Sequence, residues 1–260
     1  MGTALVTGWI NSGVCVGKDI CLYDVSDSAL QNISDRCEGQ IVLLDHDFDL
    51  ADRCKTIVIA VKPKDLNAVS GGLKERLDQE HLLCSIVAGV PLSSLERLFP
   101  GESRLIRIMP NIAALVGESA SAFCRGRGST GTDVEWVERF FGAVGSTVCI
   151  QEDLMDSVTG LSGSGPAYAF LIMDALAEAG VSEGIPRQVA LHLAAQTLLG
   201  ASRMVLETGT HPCVLKNEVT SPGGTTSRGL LALEERGIRS ALIKAVSEAT
   251  KRSRELGETR

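Results

Sequence analysis

Short apolar runs alternate with helical patterns over the first 150 residues, and this alternation restricts the fold more than any other feature of the sequence. Strands that are covered on both faces appear as continuous apolar runs, and parallel strands need a long crossover between them. The pattern therefore predicts an α/β fold built on a doubly wound sheet. The predicted strands cover residues 20–23, 41–44, 56–61, 82–87, 104–109, 119–124 and 146–150.

The start of the sequence departs from this pattern. A dinucleotide-binding sheet opens with an apolar strand and a Gly-x-Gly-x-x-Gly turn before its first helix. Here a helical pattern begins at once, over residues 2–10, and Gly2 fits the last glycine of such a turn. We therefore expect a Rossmann-like sheet with its first strand and first two glycines missing. Because that strand is central, we also expect a loosened N-terminal half and weak dinucleotide binding.

The sequence pattern changes near Glu152, and no strand is predicted beyond it. Residues 166–180 and 186–207 have helical patterns rich in small and apolar side chains. We therefore predict a dinucleotide-binding domain over residues 1–152 and an all-helical domain over residues 153–260. The small-residue surface of the long helix fits packing within one chain and packing against a second copy equally well.

Composition limits the expected partners. The net charge of −7 gives no electrostatic reason to expect nucleic acid or an anionic membrane. No apolar run approaches the length of a membrane span, and the N-terminus lacks a signal pattern. The eight cysteines are scattered without a Cys-x-x-Cys pair, so we expect no metal site and reduced, buried thiols in a cytoplasmic protein.

A loop rich in glycine and threonine precedes a helical pattern at residues 217–226. Its two glycines allow a tight turn after Pro222, and Thr225 or Thr226 can cap the following helix. A small carboxylate would there meet several N–H donors and the positive end of the helix dipole. The same residues also describe an ordinary Pro-Gly-Gly turn with a threonine cap, which is the commoner meaning of so short a motif.

Three further candidates follow predicted strands at their carboxyl ends, where open α/β sheets bind ligands. Asp24 lies about twenty residues past the glycine turn, where a carboxylate can hold the ribose hydroxyls of NAD. Alternatively, it is a turn aspartate that caps the next helix. Lys62 follows the third strand and is equally well explained as a solvated loop lysine. Ala88 and Gly89 follow the fourth strand and are small enough for a flat ring to approach the backbone.

Motifs along nearly the whole sequence resemble those of pyrroline-5-carboxylate reductase. The resemblance is strongest at Gly160-Leu161-Ser162-Gly163-Ser164-Gly165-Pro166-Ala167-Tyr168 and in the loop at residues 217–226. It continues, in family order, through Ala60-Val61-Lys62-Pro63, Val87-Ala88-Gly89-Val90, Arg104 and Asn111. That family reduces a cyclic imine to proline with NADH or NADPH, the last step of proline biosynthesis.

The resemblance implies roles for individual residues. For the substrate carboxylate it implies Ser221, Gly223, Gly224, Thr225 and Thr226, with Thr226 as the catalytic residue that hydrogen-bonds the ring nitrogen. For the cofactor it implies Gly2, Asp24, Ala60, Val61, Lys62, Pro63, Ala88, Gly89 and Glu218. Many relatives carry an amide where Glu218 stands, and polar or basic residues where Asp24 stands, so Asp24 favours NADH over NADPH. The resemblance also implies a homodimer, or a higher oligomer, through the helical domain.

Two alternatives stay open at the level of the sequence. One is a reductase or dehydrogenase that acts on another small imino or hydroxy acid. The other is a non-catalytic, dimeric descendant that has lost cofactor binding together with its first strand.

Overall fold

The computed structural model describes residues 1–101 and 103–258. Internal contacts divide the chain into two compact units. The first comprises Met1–Ser164 together with Ser247–Arg260, and the second comprises Gly165–Val246. The domain boundary that we placed after residue 152 stays a prediction.

The strands of the first unit form two separate sheets. Their bounds are β1 (Cys21–Leu22), β2 (Val42–Leu43), β3 (Thr56–Ile59), β4 (Leu82–Ser85), β5 (Arg104–Met109), β6 (Ser119–Arg125) and β7 (Gly145–Cys149). A parallel ladder joins β1 to β2, while β3 to β7 form a five-stranded sheet in sequence order. Within residues 1–101 and 103–258, no ladder joins β1 to β3. Each predicted strand is present, although β3 and β4 end two residues early. The expectation that the first strand and the first two glycines of the Rossmann-like sheet are missing stays a prediction.

The five-stranded sheet is mixed. Strands β3, β4 and β5 are parallel, whereas β6 runs antiparallel to β5 and β7 runs parallel to β6. The connection from β5 to β6 holds only a 3-10 turn (Ile112–Val116), which ends at Gly117 in the left-handed conformation. So short a connection can reverse the chain but cannot hold a crossover helix, and β6 is therefore antiparallel.

Helices cover the sheets. Those of the first unit are α1 (Gly2–Asn11), α2 (Asp27–Arg36), α3 (Asp49–Arg53), α4 (Leu66–Leu73), α5 (Leu92–Leu98), α6 (Gly131–Gly142) and α7 (Met155–Val158). A π-helical turn (Thr159–Gly163) follows α7. A 3-10 turn (Pro63–Asp65) precedes α4 directly.

Two apolar cores lie on opposite faces of the five-stranded sheet. Phe99 packs with Leu83 and Leu105 in one core, and Phe123 packs with Phe141 in the other. The three phenylalanines are each 0% exposed. Successive side chains of a strand point to opposite faces of the sheet. Accordingly, Leu105 of β5 lies in one core and Ile106 lies in the other.

The second unit is wholly helical in its described residues and has a small apolar core. Its helices are α8 (Gly165–Ser182), α9 (Arg187–Thr208), α10 (Pro212–Glu218), α11 (Thr225–Glu235) and the first part of α12 (Ile238–Glu258). Its buried apolar residues are Ala177, Ala190 and Ala194. A Cβ atom on Gly180 would lie 3.1 Å from that of Ala190, so small side chains let α8 and α9 pack closely.

Large apolar side chains cover much of the second unit's surface. Phe170 is 61% exposed, Leu171 70% and Leu206 81%. Among the described residues, α9 is also the one helix that is long and apolar enough to cross a membrane, by length and composition alone.

The cysteines are free but not all buried. Cys37, Cys84 and Cys124 are buried, whereas Cys149 and Cys213 are exposed, so the expectation of buried thiols was wrong at these last two positions. Burial raises the pKa of the Cys84 thiol above its ordinary value, which keeps it protonated and unreactive.

Candidate active site

The predicted cofactor residues of the first unit lie where strands end. Asp24 follows β1, residues 60–63 follow β3, and residues 88–89 follow β4. Ala60 and Ala88 are exposed, while Ile59 and Val87 just before them are buried. The fold therefore presents small residues at the carboxyl edge of the sheet, where a ligand can approach the backbone.

The N-terminus of α1 lies at this same edge. A Cβ atom on Gly2 would be 3.5 Å from the Cβ atom of Ala60. The first N–H groups of a helix have no acceptor within the helix, and together with the helix dipole they suit a phosphate. Gly2 and Ala60 thus form a junction that fits the pyrophosphate of a dinucleotide.

One cavity connects four of these eight positions and does not include Lys62, Pro63, Ala88 or Gly89. It has a volume of about 890 Å³, and Gly2, Asp24, Ala60 and Val61 are among the residues that line it. Its remaining wall includes apolar side chains of α1 and β3, such as Val6 and Ile57. The cavity therefore follows the gap between β1 and β3 along the whole length of β3, from Lys55 at its amino end to Ala60 at its carboxyl end.

Asp24 takes part in the start of α2 without being its cap. Its Oδ1 accepts the backbone N–H of Ser26 at 2.9 Å, and the Ser26 side chain accepts from Ala29 N at 3.3 Å as the N-cap. Within the described part of the chain, the second carboxylate oxygen of Asp24 has no hydrogen-bond partner. Asp24 is exposed and is therefore free to accept further hydrogen bonds.

A second, smaller pocket adjoins Asp24 and is acidic. Its volume is about 310 Å³, and Tyr23, Asp24, Asp27, Gln31 and Asp45 contribute to its lining. Three carboxylates around one pocket disfavour a further anion there.

Lys62 is exposed at the start of the 3-10 turn that Pro63 opens. Its carbonyl oxygen accepts the N–H of Asp65 at 2.9 Å, so the backbone here is fixed while the side chain extends to solvent. Among the described residues it forms no ion pair.

Sequence reasoning missed the role of Asn111 and the π-helical turn. The Asn111 Nδ2 atom donates to the Ser162 carbonyl oxygen at 3.0 Å, and its Oδ1 accepts from Ala113 N at 3.1 Å. Gly163 sits so near β5 that a Cβ atom there would be 2.6 Å from Met109 Cε. The density of glycine and serine in residues 160–165 is the signal that could have indicated a non-α turn, a frequent feature of functional sites.

The loop at residues 221–226, in the second unit, is a turn that ends at a helix N-terminus. Gly223 has φ +70°, a conformation that favours glycine, and the Gly224 N–H donates to the Ser221 carbonyl at 3.0 Å. Gly224 is the N-cap of α11, and Thr225 and Thr226 are its first two residues. The expectation that a threonine caps this helix was wrong, because the turn reaches the helix one residue earlier.

The loop's threonines are therefore not used in capping. Both are exposed, and the helix lacks a side-chain cap. The loop thus combines unpaired helix amides with two hydroxyl groups, as a carboxylate site requires. Glu218 is the exposed last residue of α10. In the described residues, no cluster of three His, Cys, Asp or Glu side chains could hold a metal ion.

The small residues at the strand ends, the helix N-terminus beside Ala60 and the acid after β1 form the arrangement of a dinucleotide-binding oxidoreductase of the Rossmann type, here with an added helical unit. Comparison with known proteins identifies the family within this class. The chain belongs to the pyrroline-5-carboxylate reductase family. The family model for pyrroline-5-carboxylate reductase dimerisation matches residues 152–256. A model described as NADP oxidoreductase, coenzyme F420-dependent, matches residues 1–89.

Individual relatives match over almost their whole length. Pyrroline-5-carboxylate reductase of Methanosarcina acetivorans is 45% identical over 99% of this chain and 95% of its own. The Arabidopsis thaliana enzyme is 41% identical over 100% of this chain and 93% of its own. A crystal structure of Plasmodium falciparum pyrroline carboxylate reductase with NADP bound superimposes with a TM-score of 0.88, at 32% identity, over 99% of this chain and 94% of the other.

These comparisons confirm the family and the fold class that the sequence indicated. They also account for the apolar surface of the second unit, since α8 to α11 lie within the matched dimerisation region. Homo-oligomerisation therefore explains why α9 is apolar and exposed. The roles of the individual site residues stay predictions.

Proposed function

We infer that this chain reduces 1-pyrroline-5-carboxylate to L-proline with NADH or NADPH as the hydride donor, as the last step of proline biosynthesis. The observation that carries this inference is the family relationship over the whole chain, 45% identity across 99% of its residues. Two features support the same inference. The carboxyl edge of the sheet in the first unit suits a dinucleotide, and the loop at residues 221–226 in the second unit suits a small carboxylate.

We propose that the predicted dinucleotide-binding domain, residues 1–152, binds the cofactor. The α1 N-terminus beside Ala60 suits the pyrophosphate, and Asp24 suits the adenosine ribose. Lys62 and Pro63 after β3, and Ala88 and Gly89 after β4, would adjoin the nicotinamide half. When bound, this cofactor supplies the hydride for reduction of the imine. A contact from Glu218 to the cofactor stays a prediction.

The helical domain, residues 153–260, is proposed to bind substrate and to form the homodimer. The N–H groups at the start of α11 and the turn at Gly223 and Gly224 would hold the substrate carboxylate, with Ser221 adding a hydroxyl. A carboxylate here gains from the helix dipole without displacing a capping side chain, because Gly224 is the cap. This arrangement orients a small imino acid by its charged end.

Thr226 is proposed as the catalytic residue that hydrogen-bonds the ring nitrogen. A cyclic imine can bind already protonated, so the site needs no strong base, and the loop contains no His/Asp pair. An iminium proton would be held by the Thr226 Oγ1 as acceptor, and the same hydroxyl can donate to the amine of the product. Catalysis would rest mainly on orientation.

NADH is the proposed preferred cofactor. Asp24, Asp27 and Asp45 line the same pocket at the end of β1. The additional phosphate of NADPH would meet this negative charge, whereas ribose hydroxyls can donate to the free oxygen of Asp24. A cytoplasmic location is proposed as well, since free cysteines at exposed positions suit a reducing compartment.

The test is oxidation of NADH or NADPH by the purified protein in the presence of 1-pyrroline-5-carboxylate. We expect turnover with proline as product, and turnover with neither cofactor by folded protein would contradict the activity. The role of Thr226 is tested by Thr226→Ala, with Thr226→Ser as the control that keeps the hydroxyl. We expect Thr226→Ala to lower kcat/KM by about 10- to 100-fold, the loss of a hydrogen bond to a charged group.

The stability of the same variants separates catalysis from structure. Because Gly224 and not Thr226 is the N-cap, Thr226→Ala should escape the loss of about 0.5–2 kcal/mol that removal of a cap causes. Thr226→Ser should restore most of the activity. Wild-type kinetics in Thr226→Ala would show that the hydroxyl has no part in the reaction.

A further inference from the structure

The last turns of α12 lie directly against the loop that follows β4. A Cβ atom on Gly89 would be 3.5 Å from Leu256 Cβ and 3.9 Å from the Ser253 carbonyl oxygen. From the other side, a Cβ atom on Gly257 would be 3.2 Å from the Gly89 carbonyl oxygen. The helix and the loop thus meet backbone to backbone, and a glycine on each side permits the approach.

This contact is anchored by a buried hydrogen bond. The Ser253 hydroxyl donates to Asp156 Oδ1 at 2.6 Å, and Ser253 is only 4% exposed. Thr250, one turn earlier, is also buried. The end of α12 is therefore held to α7 at a defined position along its length, and it does not merely rest on the surface of the first unit.

The loop itself depends on such support. Gly89 has φ +71°, in the left-handed region, and glycine has more backbone freedom than any other residue. Val87 and Val90 are anchored in the core at 3% exposure each, whereas Ala88 is exposed between them. The core thus holds the two ends of this short segment, and α12 is what restrains the Gly89 peptide between them.

We propose that the end of α12 is a positioning element for the nicotinamide half of the cofactor, in which Gly257 and Ser253 act through the backbone of Gly89. This inference rests on the proposed function, which places Ala88 and Gly89 beside that half of the cofactor. Hydride transfer is sensitive to displacements of about 1 Å, so a loop that shifts by a few tenths of an ångström changes both binding and rate. Gly257 and Ser253 are positioning residues and do not touch the substrate.

The main test is Gly257→Ala, which forces the Gly89 carbonyl to move. The matched control is Gly142→Ala, near the C-terminus of α6, where an added Cβ would have no atom within 4 Å. Affinities are measured for NADH and for ADP-ribose, which keeps the adenosine and pyrophosphate but lacks the nicotinamide. We expect Gly257→Ala to lower the affinity for NADH by about 3- to 10-fold and to lower kcat, while the affinity for ADP-ribose stays unchanged. Gly142→Ala should bind both as the wild type does.

Ser253→Ala provides a second variant that removes a contact without adding bulk. It should reproduce the selective loss of NADH affinity, whereas Asp156→Asn, which keeps the acceptor oxygen, should stay close to the wild type. If Gly257 and Ser253 had only a structural role, their substitution would lower the affinities for NADH and ADP-ribose together. That result would overturn the inference.

The outcomes also separate this inference from the proposed function. Wild-type protein that binds neither NADH nor NADPH would overturn both. Wild-type protein that binds and turns over NADH, alongside a Gly257→Ala variant of unchanged NADH affinity, would overturn the positioning role alone.

Discussion

The two units of this chain solve the problem of burying apolar surface in different ways. The first unit buries Phe99, Phe123 and Phe141 completely on the two faces of its sheet. The second unit buries only three alanines among its described apolar residues and exposes large side chains such as Phe170 and Leu206. The first is therefore stabilised within one chain, whereas the second keeps an apolar surface that homo-oligomerisation can cover.

This difference separates the expected effects of substitutions. A change in the first unit should alter the free energy of unfolding of one chain, and a change on the helical surface should alter association. Four substitutions test this comparison, in order of decreasing expected effect.

Leu193→Glu should have the largest effect, on association. Leu193 lies on α9 and is 50% exposed in the single chain. In a twofold interface the substitution acts twice, and each buried leucine contributes about 1.5–3 kcal/mol. We expect the dimer affinity to fall by at least about 100-fold, measured by sedimentation across a range of concentrations. Val16→Glu, on an exposed residue of the first unit with 51% exposure, is the control. Equal dissociation by both variants would break the comparison.

Glu152→Leu should have the largest effect within the first unit. Glu152 Oε1 accepts from Arg107 Nη1 at 2.7 Å and from Leu92 N at 3.0 Å, and Oε2 accepts from the Cys124 thiol at 2.6 Å. The Arg107 side chain is 5% exposed, so it would keep a buried charge without its partner. We expect a loss of about 3 kcal/mol in the free energy of unfolding, at the low end for a buried pair because Glu152 is partly exposed.

The control for this substitution lies in the second unit. Glu234 pairs with Arg239 at 2.7 Å, and both side chains are about half exposed or more. Glu234→Leu should change stability by less than about 1 kcal/mol, as exposed pairs do. Urea denaturation of both variants measures the difference, and similar losses would mean that burial of Arg107 does not decide the effect.

Asp24→Ser should alter cofactor choice without altering either stability or association. Removal of the carboxylate relieves repulsion of the 2′-phosphate and removes an acceptor for the ribose hydroxyls. We expect the ratio of kcat/KM for NADPH to that for NADH to rise by about 10-fold. Asp153→Ser, at an exposed residue that lines neither cavity, should leave the ratio unchanged. An unchanged ratio in Asp24→Ser would place the discrimination elsewhere.

Asp133→Asn should have the smallest effect, and that effect should depend on pH. Burial alone would raise the pKa of Asp133, but hydrogen bonds from the Thr130 backbone and hydroxyl and from Arg104 bring it below its ordinary value of 3.8. A carboxyl group with a lowered pKa in the folded state stabilises the fold at pH values above its ordinary pKa. This stability is lost as the pH falls through the folded-state pKa.

The wild type should therefore exceed Asp133→Asn by about 1 kcal/mol near pH 7, and the difference should shrink below about pH 4. Urea denaturation at pH 7 and at pH 3.5 measures it. Asp174→Asn in the second unit, whose partner Arg187 lies 3.6 Å away on the surface, is the control and should have little effect at either pH. A difference for Asp133→Asn that is independent of pH would contradict the account of its pKa.

Much of the fold could be read from local patterns. All seven strands stand where the sequence pattern predicted them. The physical reason is clearest in β4, where every residue is buried and a continuous run of mainly apolar residues is required. The helices at residues 2–10 and 186–207 were recognisable for a different reason, namely helical patterns rich in small and apolar side chains. The short helix α10 was missed because its seven residues are too few to establish a period.

The candidate site could be predicted only in part. The turn requires a left-handed backbone at Gly223, and the Pro-Gly-Gly sequence predicts such a turn. The cap of α11, however, falls on Gly224 because the Gly224 N–H closes onto the Ser221 carbonyl, a choice of backbone path that the threonines do not reveal. The antiparallel direction of β6 follows from its short connection to β5, and the predicted strands at residues 104–109 and 119–124 already contained that length.

The sequence by itself determined the order of strands and helices, the composition of the ligand loops and the family, because these depend on residue type and spacing along the chain. Only the tertiary structure decided which distant residues meet. It joins Gly2 to Ala60, Asn111 to Ser162, and the end of α12 to Gly89. Such contacts depend on how packed elements cross in space, and the neighbouring sequence does not indicate a partner that lies 51 residues or more away along the chain.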